Sequence, residues 1–196
     1  LGVGAGSWLS GPAAAAALDV LAGPRQTAVG ASDWCATPRE LSLEAVRGGA
    51  CTLQPLTPAE RARGFDRRAF WVRLHLANPG PEPEERWIEV GHPRLAEVSL
   101  FAETPAGWER QDLGLAIPLA ARGAVAREAD VLPVRLAAHS ERMVWLRVAS
   151  DTPIDLTPRV WDPTVYRQSR STLDFWSAMG LGGLTVASLF ALLMLA

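Results

Sequence analysis

Two short stretches concentrate the side chains able to do chemistry. In Phe70-Trp71-Val72-Arg73-Leu74-His75-Leu76-Ala77 the apolar residues alternate with Trp71, Arg73 and His75, and in Met143-Val144-Trp145-Leu146-Arg147-Val148 they alternate with Met143, Trp145 and Arg147. Successive side chains of a strand point to opposite faces. The period therefore predicts Phe70, Val72, Leu74, Leu76, Val144, Leu146 and Val148 inside, with Trp71, Arg73, His75, Trp145 and Arg147 outside. If the two strands are neighbours, these five form one aromatic and cationic surface. An indole offers a plate on which a sugar face stacks, and a guanidinium holds carboxylates or hydroxyl oxygens in a fork, so the set suits an acidic saccharide. The plainer reading is that tryptophan and arginine stack on one another to cover a sheet face.

Other chemistries find less support. His75, His92 and His139 are widely separated, with no second histidine or carboxylate at ligand spacing, so neither a metal nor a cofactor is expected. Glu82, Glu84 and Glu85 fall in a proline-rich turn and read as a solvated loop, whereas a catalytic carboxylate pair needs rigid placement across a cleft. There is no nucleophile elbow, phosphate-cradling glycine loop or His-Glu metal motif, and no enzymatic role is expected for this segment. Cys35 and Cys51, the only cysteines, are too few for a structural zinc site. They are expected to pair in a disulfide that pins the N-terminal part of the chain onto the domain, which requires an oxidising compartment.

The elements that would position these residues follow from periodicity and punctuation. Phe70–Ala77, Trp87–Val90, Leu95–Phe101, Val131–Ala137, Met143–Ala149 and Ile154–Trp161 read as short strands bounded by Gly, Pro, Asn or Asp. That spacing predicts an antiparallel sandwich or barrel. Asp162-Pro163 reads as a helix start, with Asp as the cap and Pro in the first turn. The helix is expected to continue into residues 175–196, a run without one charged side chain that at ~1.5 Å per residue covers the ~30 Å hydrocarbon core of a membrane. Residues 1–24 read as a flexible Ala/Gly tail or the apolar remnant of a secretory signal. The predicted division is thus 1–24, a β domain over 33–162, and a connecting and transmembrane helix over 163–196. The formal net charge is −2, every basic residue is arginine apart from the histidines, and charges of both signs are dispersed, which excludes nucleic acid as a partner on electrostatic grounds.

Phe70 to Pro79, then Arg86-Trp87-Ile88-Glu89-Val90-Gly91-His92-Pro93-Arg94-Leu95, then Val144-Trp145-Leu146-Arg147-Val148, followed by Trp161 and an apolar helix, resemble the type-2 extracellular sensor domain of bacterial seven-transmembrane receptors with diverse intracellular signalling modules. The resemblance covers about Leu41 to Trp161. It implies a jelly-roll-like antiparallel β-sandwich similar to carbohydrate-binding modules, held in the periplasm by helices of the inner membrane, with a histidine kinase or diguanylate cyclase as output in the whole receptor. The expected partners are membrane lipid and a small-molecule, saccharide or protein ligand, with a homodimer left open. A jelly-roll carbohydrate-active enzyme and a single-span adhesive or structural domain are the alternative classes.

Overall fold

The computed structural model describes residues 16–91 and 95–195; within its helices the side chains of Glu128, Leu173, Asp174 and several residues past Thr185 lie outside the description. Most of the 1–24 segment, together with His92 and Pro93, falls outside the described residues.

The longest alternating runs form the longest strands. The elements in chain order are β1 (Leu18–Asp19), β2 (Arg25–Thr27), β3 (Ser32–Thr37), a helical turn α1 (Leu43–Ala45) that widens over Val46–Ala50, β4 (Gln54–Pro55), β5 (Ala62–Gly64), β6 (Ala69–Asn78), β7 (Glu84–Val90), β8 (Glu97–Thr104), β9 (Gly107–Leu113), α2 (Ala124–Ala129), β10 (Leu132–Leu136), β11 (Ser140–Ala149), β12 (Ile154–Asp155), β13 (Pro158–Trp161) and α3 (Pro163–Leu195). A large sheet has the order β4-β3-β6-β11-β8-β9, with β1 parallel to the end of β6, and a smaller one has the order β10-β7-β13-β2. Apart from β1, all the pairings in both sheets are antiparallel.

The sheets face one another across one apolar layer. Phe70, Val72, Leu74 and Leu76 of β6, Val144, Leu146 and Val148 of β11, and Val98 and Leu100 of β8 meet Ile88 and Val90 of β7, Leu132, Val134 and Leu136 of β10, and Val160 of β13. These are the positions that strand alternation assigns inward. The connections after β6, β8 and β10 gather at one end of the sandwich, hereafter the hairpin end. Those after β3, β7, β9 and β11 gather at the other, the loop end, where β5 and β12 form a short ribbon.

Three expectations change. Leu95 precedes β8, which starts at Glu97. The single strand expected over Ile154–Trp161 is two: the Thr157 amide donates back to the Asp155 carbonyl (3.0 Å) and Leu156 is fully buried, so the chain turns between the ribbon and the small sheet. Strands β3 and β9 and the cover around α1 appear where alternation gives no signal. The helix start is as the cap residue dictates, since Asp162 Oδ1 accepts from the Thr164 and Val165 amides at 2.8 and 3.1 Å. From there α3 runs unbroken to Leu195. Among the described residues no helix is long and apolar enough to cross a membrane, so the span expected over 175–196 is not shown by them.

Candidate ligand-binding groove

The pairing of β6 with β11 sets the five candidate residues side by side. Trp145 lies opposite Arg73, Arg147 opposite Trp71, and Met143 opposite His75, all on the face of the large sheet away from the sandwich core. That face is not open, however. The chain from β3 to β4 folds back over it, and a Cys35–Cys51 disulfide (S–S 2.02 Å) fastens this cover to β3 beside Trp71. Gly49, at φ 94°, takes the left-handed conformation that turns the chain back towards Cys51.

Beneath the cover Cys35, Leu43, Val46, Trp71 and Trp145 form a second apolar cluster, edged by Leu53, Phe101, Trp108 and Met143. The expectation that Trp71 and Trp145 are solvent-facing is therefore corrected: they are 1% and 4% exposed. Two indoles and a disulfide carry enough apolar surface to draw a loop down onto them, which strand alternation alone cannot reveal.

The charged members of the set are held by partners. Arg73 pairs with Asp33 at 2.5 Å and lies 6.0 Å from the Trp145 ring centroid. Arg147 pairs with Glu97 at 3.0 Å and donates to the Arg39 carbonyl at 2.7 Å. His75 Nε2 lies 2.9 Å from a Glu141 carboxylate oxygen. The Trp71 indole donates to Thr37 Oγ1 at 3.1 Å. These contacts pre-organise the face.

Where the cover ends, a groove of about 560 Å³ opens towards the hairpin end. Arg73, Met143 and Trp145 form its floor, Arg47, Gly49 and Cys51–Leu53 one wall, and Glu103 and Trp108 the other. Arg47 is exposed and stacks over the Trp108 ring at 4.8 Å. The groove thus offers indole surface, a thioether, two guanidiniums and one rim carboxylate, a lining chemically complementary to one apolar face and several oxygen acceptors. Of the five candidates it uses Arg73 and Trp145. Arg47, Thr52, Leu53, Glu103 and Trp108 join them without any periodic signal, because they come from a loop and from the edges of strands. Among the described residues no group of three or more His, Cys, Asp or Glu side chains is placed to hold a metal.

A second arrangement joins the sandwich to α3. Trp87 and Trp161, paired across β7 and β13, both meet Tyr166 in T-shaped contacts, with ring centroids at 5.6 and 5.4 Å. Each indole donates to a carboxylate, Glu85 for Trp87 and Glu89 for Trp161, both at 3.0 Å. Each is also covered by an arginine, Arg167 at 4.4 Å and Arg25 at 4.6 Å. The Tyr166 hydroxyl donates to the Ala129 carbonyl at 2.6 Å, and burial with the nearby Glu89 charge pushes its pKa up to about 12. The indole donor and Arg135 hold the Glu85 carboxyl below the usual range.

The family model described as 7TMR-DISM extracellular 2 matches residues 36–162, from the disulfide strand through the capping residue of α3. The chain belongs to this family. It carries the extracellular sensor domain of seven-transmembrane receptors, a module of a membrane protein that lies outside the cytoplasm, and sensing rather than catalysis is the role of such a segment. A comparison with curated proteins returns no match. The matched residues of this 7TMR-DISM domain include the cover, the groove and both tryptophans of the α3 socket.

Proposed function

We propose that this chain is the ligand-sensing part of a bacterial transmembrane signalling receptor and that the signal is received in the groove beside the disulfide-closed cover. Family membership supports the sensing role, and the groove, with guanidinium and indole groups set on a rigid sheet, is the observation that carries the location. A carbohydrate-like ligand suits it: Trp108 supplies indole surface at the rim and Trp145 an apolar edge in the floor, while Arg47 and Arg73 supply donors for hydroxyl or carboxylate oxygens. Trp71, His75 and Arg147 hold the floor from beneath and from its two ends.

The sandwich is read as a jelly roll on the periplasmic side of the inner membrane. The uncharged run over 175–196 supports α3 as the helix that carries it into the bilayer. Because α3 is capped by Asp162 and seated on Trp87 and Trp161, a shift of the sandwich is passed to the helix without an intervening flexible linker.

The test is titration of the purified chain with a panel of neutral and acidic oligosaccharides, read by tryptophan fluorescence. A ligand of the panel is expected to lose affinity in Arg47→Ala and in Arg73→Gln. A saccharide bound equally well by both variants and the parent places the site elsewhere.

A further inference from the structure

We infer that the loop end of the sandwich rests on the anionic headgroup surface of the membrane, with Phe65, Leu115 and Leu119 dipping into it. This builds on the reading that α3 enters that membrane.

The direction of α3 is the first support. Trp161 pairs with Trp87, so Asp162 starts the helix level with Arg86, whose guanidinium lies 3.4 Å from the Asp162 carboxylate. One turn later Tyr166 packs on Val131 and reaches the Ala129 carbonyl. Leu132 pairs with Ile88, so Val131, the residue before it, lies level with Glu89, nearer the loop end than Arg86. The helix therefore runs back across the outer face of the small sheet towards the loop end.

Exposure is the second support. Outside α3, Phe65 (81%), Leu115 (65%) and Leu119 (61%) are the large apolar side chains more than half exposed among the described residues. Phe65 leads into β6 at the loop end, and Leu115 and Leu119 belong to the connection that leaves β9 there. One exposed leucine means little, but three gathered at the end towards which the helix runs are a different matter. They sit singly on separate turns, not as the contiguous patch a protein partner covers.

Charge is the third. Phe65 stands within Arg61-Ala62-Arg63-Gly64-Phe65-Asp66-Arg67-Arg68, four arginines to one aspartate, and Asp66 is bound to Arg68 at 2.8 Å. Arg63 stacks on Trp34 at 4.2 Å, while Arg61 and Arg67 are exposed. An aromatic ring at the tip of a cationic turn fits the interface of an anionic bilayer, the ring among acyl carbons and the guanidiniums on phosphates. In this pose the groove, near the hairpin end, faces away from the lipid.

Both native cysteines are in the disulfide and none is free, so single thiols can be spin-labelled in the full chain. Phe65→Cys, Leu119→Cys, Ala106→Cys at the hairpin end, and Leu184→Cys in α3 would be reconstituted in vesicles of phosphatidylcholine alone or mixed with phosphatidylglycerol. Power saturation with oxygen against a water-soluble nickel chelate reads their depth. The Leu184→Cys label should be bilayer-deep in both lipids and the Ala106→Cys label aqueous. The Phe65→Cys and Leu119→Cys labels should be interfacial, the former deeper with phosphatidylglycerol and losing that dependence when Arg61→Gln and Arg67→Gln are added. A bilayer-deep Leu184→Cys label beside loop labels as aqueous as Ala106→Cys overturns the inference and leaves the α3 reading standing, whereas an aqueous Leu184→Cys label overturns both. Loop labels shielded from both relaxants, equally in both lipids, mark a protein contact and also overturn it.

Discussion

Replacing Trp145 by alanine separates a face that is part of a core from one that is open to solvent. Trp145 is 4% exposed and packs with Trp71, Leu43, Val46 and the disulfide. Truncating a buried tryptophan removes its transfer free energy and leaves a void, together costing about 3–5 kcal/mol. A domain of this size has a total stability of about 5–15 kcal/mol. With about 2–4 °C of melting temperature per kcal/mol, Trp145→Ala should melt about 6–20 °C below the parent. Arg73 loses a weak ring contact at 6.0 Å but keeps Asp33, so its share of the loss is small. Thermal melts by circular dichroism measure this directly, with exposed Arg47→Ala as the surface control. A Trp145→Ala protein melting within about 2 °C of the parent would refute the second core, since a void of indole size cannot be that cheap.

Removing the disulfide by Cys35→Ser with Cys51→Ser frees a loop spanning 16 positions and should cost about 3 kcal/mol, read as a lower urea midpoint for the variant and, equally, for the reduced parent. Tyr166 is the only tyrosine, so tyrosinate absorbance titrates it alone. Its raised pKa favours the neutral phenol in the fold, so its contribution is whole below the ordinary value of about 10 and is lost as pH rises through about 12. Trp161→Ala should bring the midpoint down towards about 10, and a parent midpoint already there would contradict the socket. The Arg86 side chain, 8% exposed, pairs with Glu84 at 2.8 Å and donates to the Val20 carbonyl at 3.1 Å, besides its contact with Asp162. Arg86→Ala strands these partners and should destabilise by about 3–5 kcal/mol in urea unfolding.

The sandwich core was legible because β6 and β11 alternate without interruption, which sets Leu74 and Leu146 inward and Arg73 and Trp145 together on the other face. The register even makes the last two direct neighbours. What alternation does not encode is whether an outer face stays open. The cover over Trp71 is a loop with no period of its own, fixed by a disulfide whose closeness to that tryptophan is a tertiary fact. For the same reason Arg47 and Glu103 join the groove without a signal in the sequence. The strand β9 escaped because Trp108-Glu109-Arg110-Gln111-Asp112 lies at an edge, where charged residues replace the apolar alternation of an inner strand. The cap at Asp162 was readable because capping is local chemistry. The role of Tyr166, which depends on two strands and α2, was not.

The central claim, that the groove receives the signal, is tested most directly by the dose–response of the full-length receptor bearing Arg47→Glu, with the melting temperature of the same protein measured alongside. Arg47 is exposed at the rim and stacks on Trp108, so reversing its charge should shift the half-maximal dose upward by about tenfold or more, the equivalent of about 1.4 kcal/mol of lost binding, while the melt stays within about 1 °C of the parent. An unchanged dose–response in Arg47→Glu, repeated when Thr52→Trp fills the groove, would contradict the account.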